Sequence, residues 1–342
     1  MQIEVHGLKK TFTTYRRGSS FAEVMKSIFK RDKVEVHALK GIDVSIESGE
    51  LIGFLGPNGA GKSTTLKILT GVLHPTSGSA SVMGYVPWKQ RSKYVAEIGA
   101  VFGQKSQLIW DIPPVDSFVM NQAIYGIPDR EYRETLERLT GMLGVKEIMR
   151  QPTRNLSLGE RMKCEFIMAM LHRPKVVFLD EPTIGLDVIA REAIHSFVTE
   201  MNAQGVTFIL TTHDLTDVET LARRVIVINH GEIVFDDSLA KLRRFFGSRK
   251  KIRLVTEENL DGLELPGLSL IERRTANDAD YELDLSCLDL GRFISRVSES
   301  RRIRDMSIEE IPIESVIKQL YRETDFTSRT APPSPTRASP RT

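Results

Sequence analysis

The sequence of 342 residues predicts an α/β fold with a mainly parallel sheet, followed by a small α+β domain. Three observations support this. Apolar runs of strand length alternate with helical patterns up to about residue 247. A glycine-rich loop, residues 56–63, lies between one such run and a helix. The composition then changes near "FFGSRKK", residues 245–251, which marks a domain boundary.

The elements of the first domain, residues 1–247, follow from periodicity. Alternation predicts a strand at 3–12, and two strands joined at "ESGE" are expected within 42–55. Further strands are predicted at 98–102, 176–180 and 207–213, with a hairpin over 225–237. Helices are predicted directly after the glycine loop and at 188–205 and 214–224. The largely helical stretch at about 105–170 is interpreted as a helical subdomain inserted into the α/β core.

The second domain, residues 248–325, is predicted from shorter elements. Strands are expected at 251–255, 268–274, 280–285 and 303–309, with helices at 289–299 and 312–322. Residues 326–342 are rich in Ser, Thr and Pro, and they are predicted to be a disordered tail.

The composition excludes several classes of function. A formal net charge of +2 gives no signal for nucleic-acid binding. The two cysteines, Cys164 and Cys287, are far apart and are interpreted as reduced thiols rather than a disulfide or a metal site. We see no signal peptide, and no apolar run is long enough to cross a bilayer. If the protein serves a membrane process, another chain must supply the membrane part.

The loop "GPNGAGKST" fits the phosphate-binding pattern G-x-x-x-x-G-K-[ST] through Gly56, Gly61, Lys62 and Ser63. Glycines let backbone N–H groups surround a phosphate, and the start of a helix favours negative charge. The Lys62 ammonium adds a charge for the terminal phosphates, and the Ser63 hydroxyl is a hard ligand for Mg²⁺. A nucleotide and Mg²⁺ are therefore the expected ligands. The other residues expected to bind nucleotide here are Pro57, Asn58, Gly59, Ala60 and Thr64.

Two carboxylates follow the apolar run "VVFL". Asp180 is expected to hold Mg²⁺, and Glu181 is expected to act as the general base for a water molecule. Adjacent acids at a strand end are also typical of an ordinary loop. His213 lies at the end of the next predicted strand, where it could contact a γ-phosphate, although a lone histidine is more often structural.

Four ordered motifs resemble the ATP-binding subunit of ABC transporters: "GPNGAGKST", "NLSLGER", "FLDEPTIGLD" and "TTHD". The resemblance covers about residues 1–247. It implies a RecA-like P-loop NTPase core with antiparallel β and helical subdomains. It also implies a head-to-tail dimer, with itself or a sister ATPase, in which each chain lends its signature motif to the other's ATP. His213 gains its catalytic role from this resemblance, and Asp187 would lie at the dimer seam.

The signature, Ser157, Gly159 and Glu160, departs from the family pattern. The family usually has a second glycine at Leu158 and a glutamine at Glu160. Leu158 reduces backbone freedom and Glu160 adds negative charge near ATP, so we expect slower turnover than in relatives. The same residues also form a capping-box pattern, and both interpretations can hold together.

Three positions are less clear within the resemblance. Phe12 matches the aromatic that stacks on adenine, with Tyr15 as the alternative. The family has a glutamine just after the strand "IGAV", and Gln104 is chosen over Gln107 as the one that ligates Mg²⁺, although one extra residue precedes it. Trp110 lies in a stretch that resembles ATPases of multidrug export systems, and it would flank the permease-binding groove or be a core residue.

The resemblance implies an ATPase that powers transport, with export favoured, through separate transmembrane permease subunits. It would be peripheral to the cytoplasmic face of the membrane, with no nucleic-acid partner. Residues 16–37 contain an amphipathic stretch that could contact the membrane, the permease or its own domain. Two alternatives remain: a soluble ABC-type ATPase unrelated to transport, and a regulatory module with little turnover. The second domain is expected to serve dimerisation or regulation, and the sequence does not name the cargo.

Overall fold

The computed structural model describes residues 1–15, 33–103, 105–212, 214–245 and 249–310. The chain divides into two compact units, Met1–Leu239 and Ala240–Thr342. The sequence-based boundary at 247 lies eight residues after this division and stays a prediction. The stretches predicted as a helix at 312–322 and a disordered tail lie outside the described residues, as does 16–32.

The first unit is organised around a six-stranded sheet in the order β5-β6-β7-β3-β8-β9. All neighbouring strands are parallel except β8 and β9, which form an antiparallel hairpin. The central strands are apolar runs and are buried on both faces, as in a parallel sheet covered by helices. The strands are β3 (Leu51–Leu55), β5 (Ile98–Phe102), β6 (Val176–Asp180), β7 (Thr207–Thr212), β8 (Arg224–Asn229) and β9 (Glu232–Ser238).

A second sheet of the first unit is antiparallel, in the order β2-β1-β4. Its strands are β1 (Ile3–Tyr15), β2 (Lys33–Ile46) and β4 (Ser77–Val82). Strand β2 begins at Lys33, nine residues before the strands predicted within 42–55. Residues 34–37 all pair with β1, and the apolar Val34 and Val36 alternate with Glu35 and His37 as in a strand. Strand β4, "SGSASV", has little apolar character and was not predicted.

Helices connect the strands of the central sheet. In the first unit they are α1 (Lys62–Leu69), α2 (Arg91–Tyr94), α3 (Pro114–Tyr125), α4 (Asp129–Leu143), α5 (Leu158–Met170), α6 (Val188–Ala203) and α7 (Leu215–Leu221), and α8 (Leu239–Phe245) follows at the boundary. Helices α3, α4 and α5 all fall between β5 and β6, in the predicted helical stretch. Helices α3 and α4 both end at a glycine in the left-handed conformation, which stops the helix without steric cost.

The second unit contains a four-stranded antiparallel sheet in the order β11-β12-β10-β13. Its strands are β10 (Arg249–Thr256), β11 (Leu268–Thr275), β12 (Asp278–Asp284) and β13 (Ile303–Glu310), with helix α9 (Leu290–Ser300). One face of the sheet is apolar and packs with Phe293 and Val297 of α9. Along β10 the buried Ile252 and Leu254 alternate with charged residues. Two of these, Lys251 and Arg253, form ion pairs with acids of β12.

The parallel register brings the carboxyl ends of four strands to one edge of the sheet. Leu55 pairs with Thr212, Thr211 with Asp180, and Asp180 with Phe102. The segments that follow these residues are the glycine loop, the two carboxylates, the predicted histidine and the predicted glutamine. In open α/β sheets ligands bind at this edge, so the topology places the candidate site there.

Candidate nucleotide site

The three glycines of the phosphate loop are required for different reasons. A Cβ at Gly56 would lie 2.3 Å from the Ile228 carbonyl oxygen, so no larger residue fits. Gly59 has a φ of +82° with open space around it, so its need is conformational. Gly61 has a φ of +117°, and a Cβ there would also approach the Ala38 carbonyl oxygen at 2.8 Å. Gly56 and Gly61 therefore let the loop lie directly against the backbone of β8 and β2.

Lys62 is the first residue of α1 and its side chain is buried. Its Nζ donates to the carbonyl oxygens of Gly56 at 2.6 Å and Pro57 at 3.2 Å, across the loop it follows. Burial lowers the pKa of Lys62, and the nearby Glu181 and Asp180 carboxylates partly oppose that shift. A buried ammonium inside a glycine loop is a ready partner for an anion.

The Ser63 hydroxyl lies against Asp180, as the sequence predicted for a shared ion. Its Oγ donates to Asp180 Oδ1 at 2.9 Å, and Thr211 Oγ1 donates to the same oxygen at 2.6 Å. A hydroxyl and a carboxylate are hard oxygen donors that suit Mg²⁺, which takes few protein ligands and keeps waters and phosphate oxygens. The donor set of Ser63 and Asp180 therefore fits the predicted ion, with most ligands left for nucleotide and solvent.

Glu181 has a left-handed backbone, with a φ of +51°. This conformation costs a non-glycine residue about 1–3 kcal/mol and persists only where its surroundings enforce it. The Glu181 N–H donates to the Thr211 carbonyl oxygen at 2.9 Å, which ties the strained residue to β7. The side chain borders a cavity of about 400 Å³, whose lining includes Asn58, Ser63, Lys67, Phe102, Gly103, Lys105, Asp180 and Ile184.

The extra residue noted before the predicted glutamine is Gly103, and it has a steric purpose. Its N–H donates to the Asp180 carbonyl oxygen at 2.9 Å. A Cβ at Gly103 would lie 2.2 Å from the carbonyl oxygen of Glu181. The glycine therefore lets the chain pass directly over the backbone of the predicted base.

We expect Gly103→Ala to lower kcat for ATP hydrolysis by about 100-fold, because the added methyl must displace the Glu181 backbone and misplace its carboxylate. The KM for ATP should change much less, since the phosphate loop is untouched. Steady-state phosphate release measures both constants. Gly141→Ala is the control: Gly141 lies within α4 with open space at its Cβ, so the change should stabilise the chain by about 1 kcal/mol without altering kcat. Unchanged turnover in Gly103→Ala would contradict the steric argument.

Two predicted residues, Gln104 and His213, lie outside the described residues. The alternative glutamine, Gln107, donates through Nε2 to the Ala100 carbonyl oxygen at 2.6 Å, and it does not line the cavity. The residues on either side of His213 lie within the described part of the chain, where the Asp214 N–H donates to the Thr212 hydroxyl at 2.9 Å. Asp214 forms a 2.7 Å ion pair with Arg191 of α6.

A buried polar network under this edge of the sheet was not predicted from the sequence. Asp217, fully buried on α7, accepts from the hydroxyls of Thr183 and Thr212 and contacts His195 Nε2 at 2.8 Å. Burial raises the pKa of Asp217, but the hydrogen bonds from His195 and Thr183 outweigh it and leave the pKa below its ordinary value. The only signal in the sequence was an acid at the fourth position after His213.

Asp217→Asn is expected to lower the free energy of unfolding by about 2–4 kcal/mol near pH 7, because a buried anion with several donors is lost. The folded-state pKa is depressed, so this contribution is present above the unfolded pKa near 3.8 and disappears as pH falls through the folded value. Denaturant unfolding at pH 7 and below pH 4 should show the difference between parent and variant shrinking with acid. A difference that stays constant over that range would exclude an electrostatic origin.

The signature residues begin α5 and form a complete capping box. The Ser157 N–H and Oγ both donate to Glu160 Oε2, at 2.9 and 2.8 Å, and the Glu160 N–H donates to Ser157 Oγ at 3.2 Å. A Cβ at Gly159 would lie 2.7 Å from the Cβ of Ala190, so this glycine lets α5 approach α6. Ser157, Gly159 and Glu160 do not line the cavity at Glu181.

Asp187 caps α6, with its Oδ1 accepting from the Ala190 N–H at 2.8 Å. The next two residues, Val188 and Ile189, are largely exposed, the latter by 78%. Ile184, four residues before Val188, is also an exposed apolar residue, and so is Leu158 of the signature.

The two predicted aromatic contacts lie at the surface. Phe12 on β1 is 36% exposed and pairs with Val36, and Lys10 Nζ lies 5.0 Å from the centre of its ring. The Tyr15 side chain lies outside the described residues. Trp110 is 51% exposed beneath the Arg161 guanidinium, at 5.5 Å, so the alternative of a buried core tryptophan is wrong.

Comparison with known families accounts for this arrangement. Residues 39–184 match the family described as ABC transporter. Residues 39–184 are thus similar to the ATP-binding domain of ABC transporters. The resemblance to the ATP-binding subunit of ABC transporters, predicted from the four motifs, is confirmed. The predicted α/β P-loop fold is confirmed too, since solved ATP-binding cassettes share it.

Relatives of the ABC domain include two proteins of Bacillus subtilis. The ABC transporter ATP-binding protein NatA is 29% identical over 63% of this chain and 87% of its own length. The linearmycin resistance ATP-binding protein LnrL is 29% identical over 72% of this chain and 80% of its own. By contrast, the match spans only 28% and 13% of ABC transporter A family members 8 and 6 of Dictyostelium discoideum.

A solved structure shows the same fold as the ABC domain. It is a dimeric post-hydrolysis state of the ATP-binding cassette MJ0796 bound to ADP and Pi, which is 22% identical over 69% of this chain and 98% of its own, with a TM-score of 0.58. Within the described residues of this chain, no helix combines the length and apolar character needed to span a membrane.

Proposed function

We propose that the protein is an ATP-hydrolysing subunit that dimerises on ATP and powers transport, in the export direction, through a separate membrane permease. The observation that carries the proposal is the meeting of Ser63, Asp180 and Glu181 around one cavity, with a capped signature helix that does not line it. The buried Lys62 precedes Ser63 and lies across the phosphate loop. Such a site needs a second chain to supply Ser157 and Gly159. The dimeric form of a structural neighbour supports this arrangement.

In the proposed mechanism the phosphate loop and Lys62 bind the β- and γ-phosphates. Ser63, Asp180 and Gln104 would hold Mg²⁺, which would neutralise charge on the phosphates. Glu181 orients the attacking water and takes its proton, and His213 contacts the γ-phosphate. The adenine stacks on Phe12. Across the dimer, Ser157 and the N–H groups at the start of α5 bind the partner's γ-phosphate, and Asp187 lies at the seam.

Glu160 would carry less negative charge toward ATP than its residue type suggests. Its Oε2 already accepts from both the N–H and the hydroxyl of Ser157, which spreads the charge into the capping box. The departure from the usual glutamine is therefore compatible with ATP binding and with slow turnover.

Export is supported by the name of the relative LnrL, a resistance protein, and by the exposed Trp110 in the stretch that resembles multidrug export ATPases. We propose a location on the cytoplasmic face of the membrane, peripheral to the permease subunits, with no nucleic-acid partner. The dimer would form with a second copy or a sister ATPase.

Purification of tagged Glu181→Gln protein with Mg·ATP from gently solubilised cells tests the partner. A polytopic membrane protein in near-equal amount is the expected result. Recovery of ribosomes, DNA or only soluble proteins would instead favour an ABC-type ATPase unrelated to transport. Steady-state phosphate release with the permease present separates the enzyme from a regulatory module with little turnover.

A further inference from the structure

A buried carboxylate on the signature helix contacts the segment that follows Gln104. Glu165 of α5 is 3% exposed. Its Oε1 accepts from the Ser106 hydroxyl and from the Gln107 N–H at 3.0 Å, and its Oε2 lies 3.1 Å from the same N–H. The Leu108 N–H donates to Oε1 at 3.4 Å. One side chain thus binds all three residues of 106–108, which are called the loop segment.

Burial of a carboxylate is costly, so its donors must compensate. Burial raises the pKa of Glu165, and the Ser106, Gln107 and Leu108 donors oppose this rise. An apolar residue could fill the same space in a core without this cost. The position of Glu165 therefore calls for a reason beyond packing, and the contacts suggest that the reason is the geometry of the loop segment.

The loop segment is connected on both sides. Before it lies Gln104, and after it the Ile109 N–H donates to Ser117 Oγ of α3 at 3.3 Å. Ile109 and Trp110 are both about half exposed. Asn121 of α3 in turn donates to the Met168 carbonyl oxygen of α5 at 2.8 Å. The exposed apolar residues, the loop segment and α5 are therefore linked by hydrogen bonds.

The signature lies at the start of α5, and Glu165 lies near its middle. Ser157 precedes Glu165 by eight residues, or about 12 Å along a helix. The Glu160 and Arg161 N–H groups are bonded to Ser157, so the first turn is ordered by its cap. Because a helix of this length is stiff, a displacement of its middle at Glu165 displaces the capped end as well.

We infer that Glu165 is a positioning residue that makes the loop segment and the signature helix move as one body. It links the trans phosphate-binding end of α5 to the loop that carries Gln104 and to the exposed Ile109 and Trp110. The inference rests on the proposed function for its role in the ATPase cycle. The rival interpretation is a satisfied polar residue that only stabilises the helical segment.

Hydrogen exchange and kinetics on the full chain distinguish the two. Glu165→Gln keeps the size of the side chain but replaces a charged acceptor with a weaker one. The control is Ile167→Val, a buried apolar change on the same helix. Ser106→Ala removes one donor and leaves the two backbone donors in place. Each variant is compared with the parent for amide exchange, melting temperature, KM for Mg·ATP and kcat.

The expected result for Glu165→Gln is at least tenfold faster exchange at Gln107 and Leu108, and also at Glu160 and Arg161. We expect kcat to fall at least tenfold with KM within twofold of the parent, because the chain's own phosphate loop is intact. Ser106→Ala should give a smaller change of the same kind. Ile167→Val should lower the melting temperature while leaving kcat and the exchange at Glu160 unchanged.

Faster exchange confined to Gln107 and Leu108, with kcat unchanged, would overturn the inference. So would a fall in kcat that Ile167→Val reproduces at an equal loss of melting temperature. If the parent itself neither hydrolyses ATP nor dimerises with it, the proposed function fails instead. The exchange comparison needs no turnover, so it would still decide whether Glu165 couples the loop segment to the signature.

Discussion

Glu181→Gln is expected to bind Mg·ATP with near-parental affinity, to accumulate as an ATP-bound dimer and to lose at least about 1,000-fold in kcat. The amide keeps the size of the side chain, so the cavity that it shares with Ser63 and Asp180 should be preserved. It cannot accept a proton from water. The strained backbone at this position is held to β7 by the hydrogen bond from the Glu181 N–H, which the substitution leaves in place.

Size-exclusion chromatography with and without Mg·ATP detects the trapped dimer, and phosphate release measures turnover. Glu192→Gln is a useful control, because it is the same change on α6 at a position that does not line the cavity. Parental rates of phosphate release by Glu181→Gln would remove Glu181 from the role of base. If the variant lost both ATP binding and turnover, the carboxylate would be needed for the structure of the site and not specifically for the chemical step.

Lys62→Met is expected to weaken ATP binding at least about 100-fold, since the change removes a buried ammonium that would face the terminal phosphates. Without nucleotide the consequence is different. The variant loses hydrogen bonds to Gly56 and Pro57, but it is also relieved of a buried charge whose pKa is already lowered by desolvation. These effects oppose each other, so the free energy of unfolding should change by no more than about 2 kcal/mol.

Thermal unfolding with and without Mg·ATP gives both quantities in one experiment. The parent should be stabilised by ATP, whereas Lys62→Met should show no ATP-dependent shift at the same concentration. Lys67→Met is the control, because Lys67 borders the same cavity from the last turn of α1 and lies outside the phosphate loop. An equal loss of ATP stabilisation in Lys67→Met would show that general positive charge, not the loop lysine, determines affinity.

Much of the central sheet could be predicted because its strands carry their own signal. Buried parallel strands read as continuous apolar runs, and "VVFLD" and "TFILTT" are found where the pattern places them. The chain order of the motifs then predicted that Ser63 and Asp180 would meet, and their hydroxyl and carboxylate are 2.9 Å apart. The strand β4 was missed because Ser and Gly dominate it, so only its partner β1 defines it as a strand.

The contacts that complete the site could not be predicted, since they join residues that are far apart in the sequence and meet only in the folded chain. Gly103 was noticed only as an extra residue, and its purpose depends on the Glu181 carbonyl 78 positions later. Asp217 looks like an ordinary helix acid until Thr183 and His195 are placed around it. Glu165 likewise looks like an ordinary helix acid until its contact with Ser106 is known. In each case the residue type was plain in the sequence and its partner was not.

The separation of the signature from the cavity has a kinetic consequence. If the site is completed only by Ser157 and Gly159 of another chain, hydrolysis by isolated protein is second order in protein at low concentration. Specific activity would then rise with protein concentration and reach a plateau above the dimer dissociation constant. Below that concentration it would fall toward zero. A dilute chain would be a nucleotide-binding protein, and local crowding on a membrane partner would convert it into an enzyme.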